Sequence, residues 1–180
     1  MSTNGTSIYR RIGRVLRPVR AHRFSDTLIA GALTIGNVVA CATGDKPFPV
    51  TCALSEAGAP ATLVQIILRE YFASGSAVKA KLRVYFLAEE ITTTKGAAFY
   101  ANWDNVLGYV DVQDTDWLEV QDNATASNGG AIAIVKNVNL TINPALYSGT
   151  FYAAVVSLEN DATGYATGAK IDMIMDIEEH

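Results

Sequence analysis

Arginine is the residue type whose spacing carries the strongest chemical signal in this sequence. The first 23 residues contain no acidic residue and six arginines, so this N-terminal arm carries a charge of +6. The six are Arg10, Arg11, Arg14, Arg17, Arg20 and Arg23. Guanidinium groups bind carboxylates and phosphates through paired hydrogen bonds. Apolar residues lie between the arginines (Ile12, Val15, Leu16 and Val19), which favours a protein groove over bare phosphate.

We therefore interpret the six arginines as residues that bind a protein partner. Contact with nucleic acid, which would weaken steeply with salt, is the weaker alternative. A solvated tail without function is the remaining one.

The rest of the chain has the opposite charge. The other 157 residues hold eight basic side chains and all eighteen acidic ones, a net of −10, and the whole chain is at −4. A positive arm on a negative body favours contact between neighbouring molecules. Charged residues make up only 18% of the chain, which suits a surface that is partly covered by partners.

The residues needed for catalysis do not occur in a recognisable arrangement. The two histidines are His22, in the arm, and His180, the last residue. Neither lies where strands would hold it beside a serine or cysteine nucleophile. HExxH, CxxC and phosphate-binding glycine motifs are absent from the sequence. We expect no enzymatic activity, no cofactor and no metal ion.

Two groups of acidic residues leave alternatives open. They are the pair Glu89-Glu90 and the cluster Asp111, Asp114, Asp116 and Glu119. Two carboxylates can hydrolyse a glycosidic bond, but adjacency in sequence does not supply the required separation. The cluster offers oxygen ligands for calcium without the glycine and terminal glutamate of a calcium-binding loop. A solvated turn is our preferred interpretation.

Aromatic residues are dense in the middle of the chain. Phe99, Tyr100, Trp103, Tyr109 and Trp117 fall within nineteen residues. Exposed rings of this kind can stack on sugars, but large rings more often pack in a core or an interface. We expect packing and keep carbohydrate binding as an alternative.

Cys41 and Cys52 flank a turn-rich stretch, so a disulfide across it is conceivable. We interpret them as two buried thiols of a protein made in a reducing cytoplasm. The sequence has no run of about 18 apolar residues, so we expect no membrane partner.

From Phe24 onwards the pattern indicates strands and turns. Residues 78–86 alternate between apolar residues and Lys79, Lys81, Arg83 and Tyr85, as expected of a strand with one buried face. The other predicted strands are 27–37, 38–41, 49–54, 62–72, 106–112, 115–121, 131–135, 138–142, 150–158 and 170–177. The last has Ile171, Met173, Met175 and Ile177 on one face.

This pattern predicts an all-β protein with one domain, an antiparallel jelly roll or β-sandwich spanning residues 24–180. It follows a basic arm, residues 1–23, that is extended or forms a short helix ended by Pro18.

Three stretches together resemble a known family. They read VKAKLRVYFL at 78–87, LGYVDV at 107–112 leading to Asp116-Trp117, and LYSGTFYAAVV at 146–156. Their order resembles that of the jelly-roll head decoration, or cement, proteins of tailed bacteriophages, over residues 24 to 178. The arm lies outside the resemblance.

The resemblance implies a homotrimeric structural protein of the virion. It would be made in the host cytoplasm, bind the major capsid protein on the outer surface of the head and stabilise the shell. A neck, tail or baseplate component is one alternative, and a carbohydrate-binding module for host attachment is another.

Overall fold

The computed structural model describes residues 19–52, 60–72, 78–120, 129–143 and 149–179, and these form an all-β protein. Two single turns of 3-10 helix, Trp103–Asn105 and Asp114–Asp116, interrupt the strands there. The strands in these ranges are β1 (Val19–Thr27), β2 (Gly31–Leu33), β3 (Val38–Ala40), β4 (Phe48–Thr51), β5 (Ala61–Phe72), β6 (Leu82–Leu87), β7 (Val106–Val112), β8 (Trp117–Val120), β9 (Gly129–Ile142), β10 (Thr150–Ser157), β11 (Asp161–Tyr165) and β12 (Lys170–Glu179).

Two antiparallel sheets pack face to face, as the sequence predicts for a β-sandwich. The first sheet has the order β1-β12-β5-β9-β8. The second has the order β3-β10-β6-β7, and β4 pairs with another part of β10. A short ribbon of β2 and β11 stands apart from both sheets.

The inner faces of the two sheets form one hydrophobic core. Ile171, Met173, Met175 and Ile177 of β12 are all buried, which confirms the face predicted for this strand. Opposite them, the second sheet contributes Phe86 and Phe151, whose ring centroids lie 6.1 Å apart in an edge-to-face arrangement.

Strand β6 begins later than predicted. Leu82, Val84 and Phe86 alternate with half-buried residues, as expected, but the strand starts at Leu82 and not at residue 78. Lys79 has a φ of 53°, a left-handed conformation that a regular strand does not accommodate. Strand β6 lies between β10 and β7, so it is an inner strand of the second sheet.

The boundary predicted between arm and body falls inside β1. This strand begins at Val19 and pairs with β12 in unbroken register from Val19–Glu178 to Thr27–Lys170. Residues 19–23 are thus an edge strand of the first sheet. Backbone hydrogen bonds to β12 hold it, and the ring of Phe24 lies 5.4 Å from that of Phe48.

Two other regions differ from the predicted pattern. The strands predicted at 131–135 and 138–142 form the single strand β9, in which Asn137 and Asn139 take positive φ values without ending the pairing. Strand β11 lies between the predicted strands 150–158 and 170–177, where no strand was predicted. Gly164 allows β11 to approach its pairing partner β2 closely, because a Cβ at this position would collide with the carbonyl of Gly31.

We expect Phe86→Ala to lower the free energy of unfolding by about 3–5 kcal/mol, because it leaves a cavity between the sheets. Tyr100→Ala is the matched control. It removes a ring that is 82% exposed, and a change below about 0.5 kcal/mol is expected. Urea unfolding measures both, and equal losses would contradict the assignment of the core.

Candidate functional site

The structure places two of the six predicted partner-binding arginines. Arg20 pairs in register with Ile177 in the first sheet. Arg23 is exposed, and its Nη2 lies 3.9 Å from a carboxylate oxygen of Asp172, a surface contact that contributes little. Arg10, Arg11, Arg14 and Arg17 lie outside the described residues.

Three of the acidic residues considered for catalysis or calcium, Asp111, Asp116 and Glu90, have protein partners. Both oxygens of Asp111 accept hydrogen bonds from Arg83, at 2.6 and 2.8 Å. The Asp116 carboxylate accepts the backbone N–H of Gln113 at 2.8 Å and closes a 3-10 turn. Glu90 forms an ion pair with Lys46 at 2.7 Å. Within the described ranges, no three His, Cys, Asp or Glu side chains lie close enough to hold a metal ion.

An aromatic cluster covers part of the outer face of the second sheet. The Tyr85 ring stacks on Phe99 with 4.6 Å between centroids. The Arg83 guanidinium lies 4.0 Å from the centroid of Tyr109, and its hydrogen bonds to Asp111 hold it there. The predicted packing role is therefore confirmed for Phe99.

The two tryptophans have different environments. Trp117 is 8% exposed, and its Nε1 donates to the carbonyl of Ala80 at 3.0 Å, so it packs in the core as predicted. Trp103 is 83% exposed, which packing within this chain does not explain. The 3-10 turn that bears it is anchored by Asn105, whose Oδ1 accepts the N–H of Glu89 at 2.7 Å.

An apolar surface on the outer face of the first sheet was not predicted. We call it the Leu118 patch, and it consists of Tyr71, Leu118, Val120, Ile132 and Ile134. Leu118, on the edge strand β8, is 71% exposed and pairs with Ile132 of β9. The sequence signal was present, because residues 131–134 read Ala-Ile-Ala-Ile, but the direction of each side chain required the register of the sheet.

A buried carboxyl group was also missed. Glu70 is 1% exposed and lies on the inner side of β5, two residues after Leu68. Its Oε1 accepts the hydroxyl of Tyr165 at 2.7 Å, and its Oε2 accepts the backbone N–H of Lys79 at 3.3 Å. Burial raises the pKa of Glu70 to about 7, and the two hydrogen bonds offset part of that effect.

Both cysteines are buried and neither forms a disulfide, as predicted. Burial is the main cause that raises the pKa of the Cys41 thiol. A thiol with a raised pKa is a weak nucleophile.

The chain matches no protein-family model, and it matches no curated protein. No helix in the described part of the chain has the length and apolar character needed to cross a membrane.

The buried carboxyl predicts a pH dependence of stability. Between pH 4.5 and about 7 the folded state keeps the Glu70 proton while the unfolded chain releases it. The free energy of unfolding should therefore fall as the pH rises through this range, by up to about 3 kcal/mol. Glu70→Gln keeps the hydrogen bond from Tyr165 and removes the titration, so it should flatten the profile. Asp104→Asn, at an exposed carboxyl, is the control, and an unchanged slope in Glu70→Gln would refute the assignment.

Proposed function

We propose that this chain is a structural protein of a bacteriophage virion, a decoration or cement protein that binds the outer surface of the head shell and stabilises it. The observation that carries the proposal is the arrangement of charge on the fold. The positive arm, residues 1–23, runs into the edge strand β1, while residues 24–180 carry a net charge of −10.

The strand order supports a jelly-roll interpretation of the sandwich. If β3 and β4 are two parts of one strand, and β2, β8 and β11 are additions, eight strands remain. The first sheet then has the order β1-β12-β5-β9, and the second has the order β4-β10-β6-β7. Apart from β6 and β7, which are neighbours in one sheet, successive strands of these eight lie in alternate sheets, and this supports two interlocked Greek keys, the jelly-roll arrangement.

In the proposed role, the arm binds acidic surfaces of the major capsid protein and the sandwich associates with copies of itself around a symmetry axis. Two buried thiols that form no disulfide suit a protein made in the host cytoplasm. The role requires no catalysis, cofactor or membrane, and the apolar residues between the arginines favour protein over nucleic acid as the partner.

The proposal predicts that purified virions of the source phage contain this chain in many copies. Mass spectrometry of gradient-purified particles would detect it, and an antibody would label the head surface in electron micrographs. Absence from the particles would refute the proposal. Antibody labelling confined to the neck, tail or baseplate would show that the protein is a component of that structure and not of the head surface.

The same proposal predicts the effect of the arm. The full chain with Arg10, Arg11, Arg14 and Arg17 changed to alanine should keep its melting temperature and bind shells that lack the protein at least tenfold more weakly. Lysine at the same four positions is the control, because it keeps the charge and loses the paired hydrogen bonds. Undiminished binding by the alanine variant would exclude the arm from the contact.

Carbohydrate binding is a second candidate, and the exposure of Trp103 and Tyr100 favours it. An exposed indole can stack on the apolar face of a sugar ring. We expect Trp103→Ala to abolish any signal on a glycan array while the melting temperature stays unchanged. Trp117→Ala is the contrasting variant, since loss of its buried ring should destabilise the fold. An unmodified protein that binds no glycan would remove this candidate.

A further inference from the structure

We propose that the Leu118 patch is a docking surface for the acidic body of a second copy of this chain. The inference deepens the self-association part of the proposed function. Its test uses the purified protein and does not depend on a virion.

The first support is the inside-out pattern of β9. Ala131 and Ala133 face the core, while Ile132 and Ile134 face outward. The small size of Ala133 is explained by its neighbour, because it pairs directly with the large Trp117 on the inner face of the sheet. The apolar character of the two outward isoleucines is not explained in this way, since threonine would suit a solvated strand equally well. A covering partner accounts for them.

The second support is the continuity of the apolar surface across strands. Ile134 pairs with Ile67, and Ile67 pairs with Ile174, so one apolar row crosses three strands. Leu118 and Val120 extend the surface to β8, the last strand of the sheet order. Lysine and proline, which commonly protect edge strands, are absent from β8.

The third support is the charge around the patch, which selects the partner. Lys170 pairs with Tyr71, Arg69 pairs with Ile132, and Lys136 lies two residues after Ile134. Among the described residues, the acids of this outer face lie on β12, where Asp172 pairs with Arg69 on the side away from the patch. The three cations that border the patch (the cationic rim) repel the arginine-rich arm and attract the acidic surface of another copy, whose residues 24–180 carry a net charge of −10.

Light scattering on the full-length protein during gel filtration tests the inference. We expect the mass in solution to be two or more times the 19.2 kDa of one chain. Ile134→Asp and Leu118→Asp should shift the protein to the monomer mass, and Ile134→Thr should raise the dissociation constant at least tenfold with the melting temperature retained. Ile35→Asp is the matched control, because Ile35 is 56% exposed and lies outside the patch. A monomeric unmodified protein, or patch variants that stay oligomeric, would overturn the proposal.

Two further variants separate the body from the arm as the occupant. Reversal of the rim by Lys136→Glu and Lys170→Glu should weaken association, and so should added salt. Alanine at Arg10, Arg11, Arg14 and Arg17 should leave the oligomer intact. Dissociation of this arginine variant would identify the arm as the occupant and overturn the choice of the body. A chain that is absent from virions but still oligomerises through the patch would refute the virion role alone.

Discussion

The structure depends on the way the two inner sheet faces fill the space between them. Side chains along a strand alternate with a period of two, so a residue that points into the core is followed by one that points outward. Trp117 enters the core from β8 and donates its N–H to the carbonyl of Ala80. The position paired with it on β9 is therefore small, Ala133, and the larger residues of that strand face outward. The packing of this indole ring explains the small inner residue of β9, and it leaves the apolar residues on the outer face of the strand unexplained.

The buried carboxyl group of Glu70 has a structural role of its own. Glu70 accepts hydrogen bonds from Tyr165 of β11 and from the backbone of Lys79, so one carboxyl group joins β5, the β2–β11 ribbon and the approach to β6. Without these donors, a carboxyl group at this depth would be strongly destabilising. With them, it specifies how three non-adjacent segments meet, which an apolar residue would do less selectively.

The sequence predicted those elements whose evidence is local. The alternation in β5, β6, β7, β10 and β12 was readable residue by residue, and so were the buried face of β12 and the sandwich class. Strand β1 was not, because its arginines dominate the local pattern and its pairing partner lies about 150 residues later in the chain. The Leu118 patch and Glu70 were missed for the same reason. Each can be recognised only when the register of neighbouring strands is known, and the alternation within one strand does not contain that information.

The arm and the Leu118 patch differ in the physical range of the interactions that their residues can form. Charge attraction between an arginine-rich segment and an acidic surface acts over about 10 Å at moderate salt and has little geometric selectivity. Apolar contact requires complementary shape at van der Waals distance and excludes water from the contact area. The arm is therefore suited to capture a partner, and the patch on the rigid sheet is suited to define the orientation of a neighbouring copy. A chain with the arm alone could associate head to tail without limit, because every body offers negative charge to the next arm. A rigid apolar contact with a cationic rim favours one geometry over that series, and only a fixed geometry can repeat around a symmetry axis.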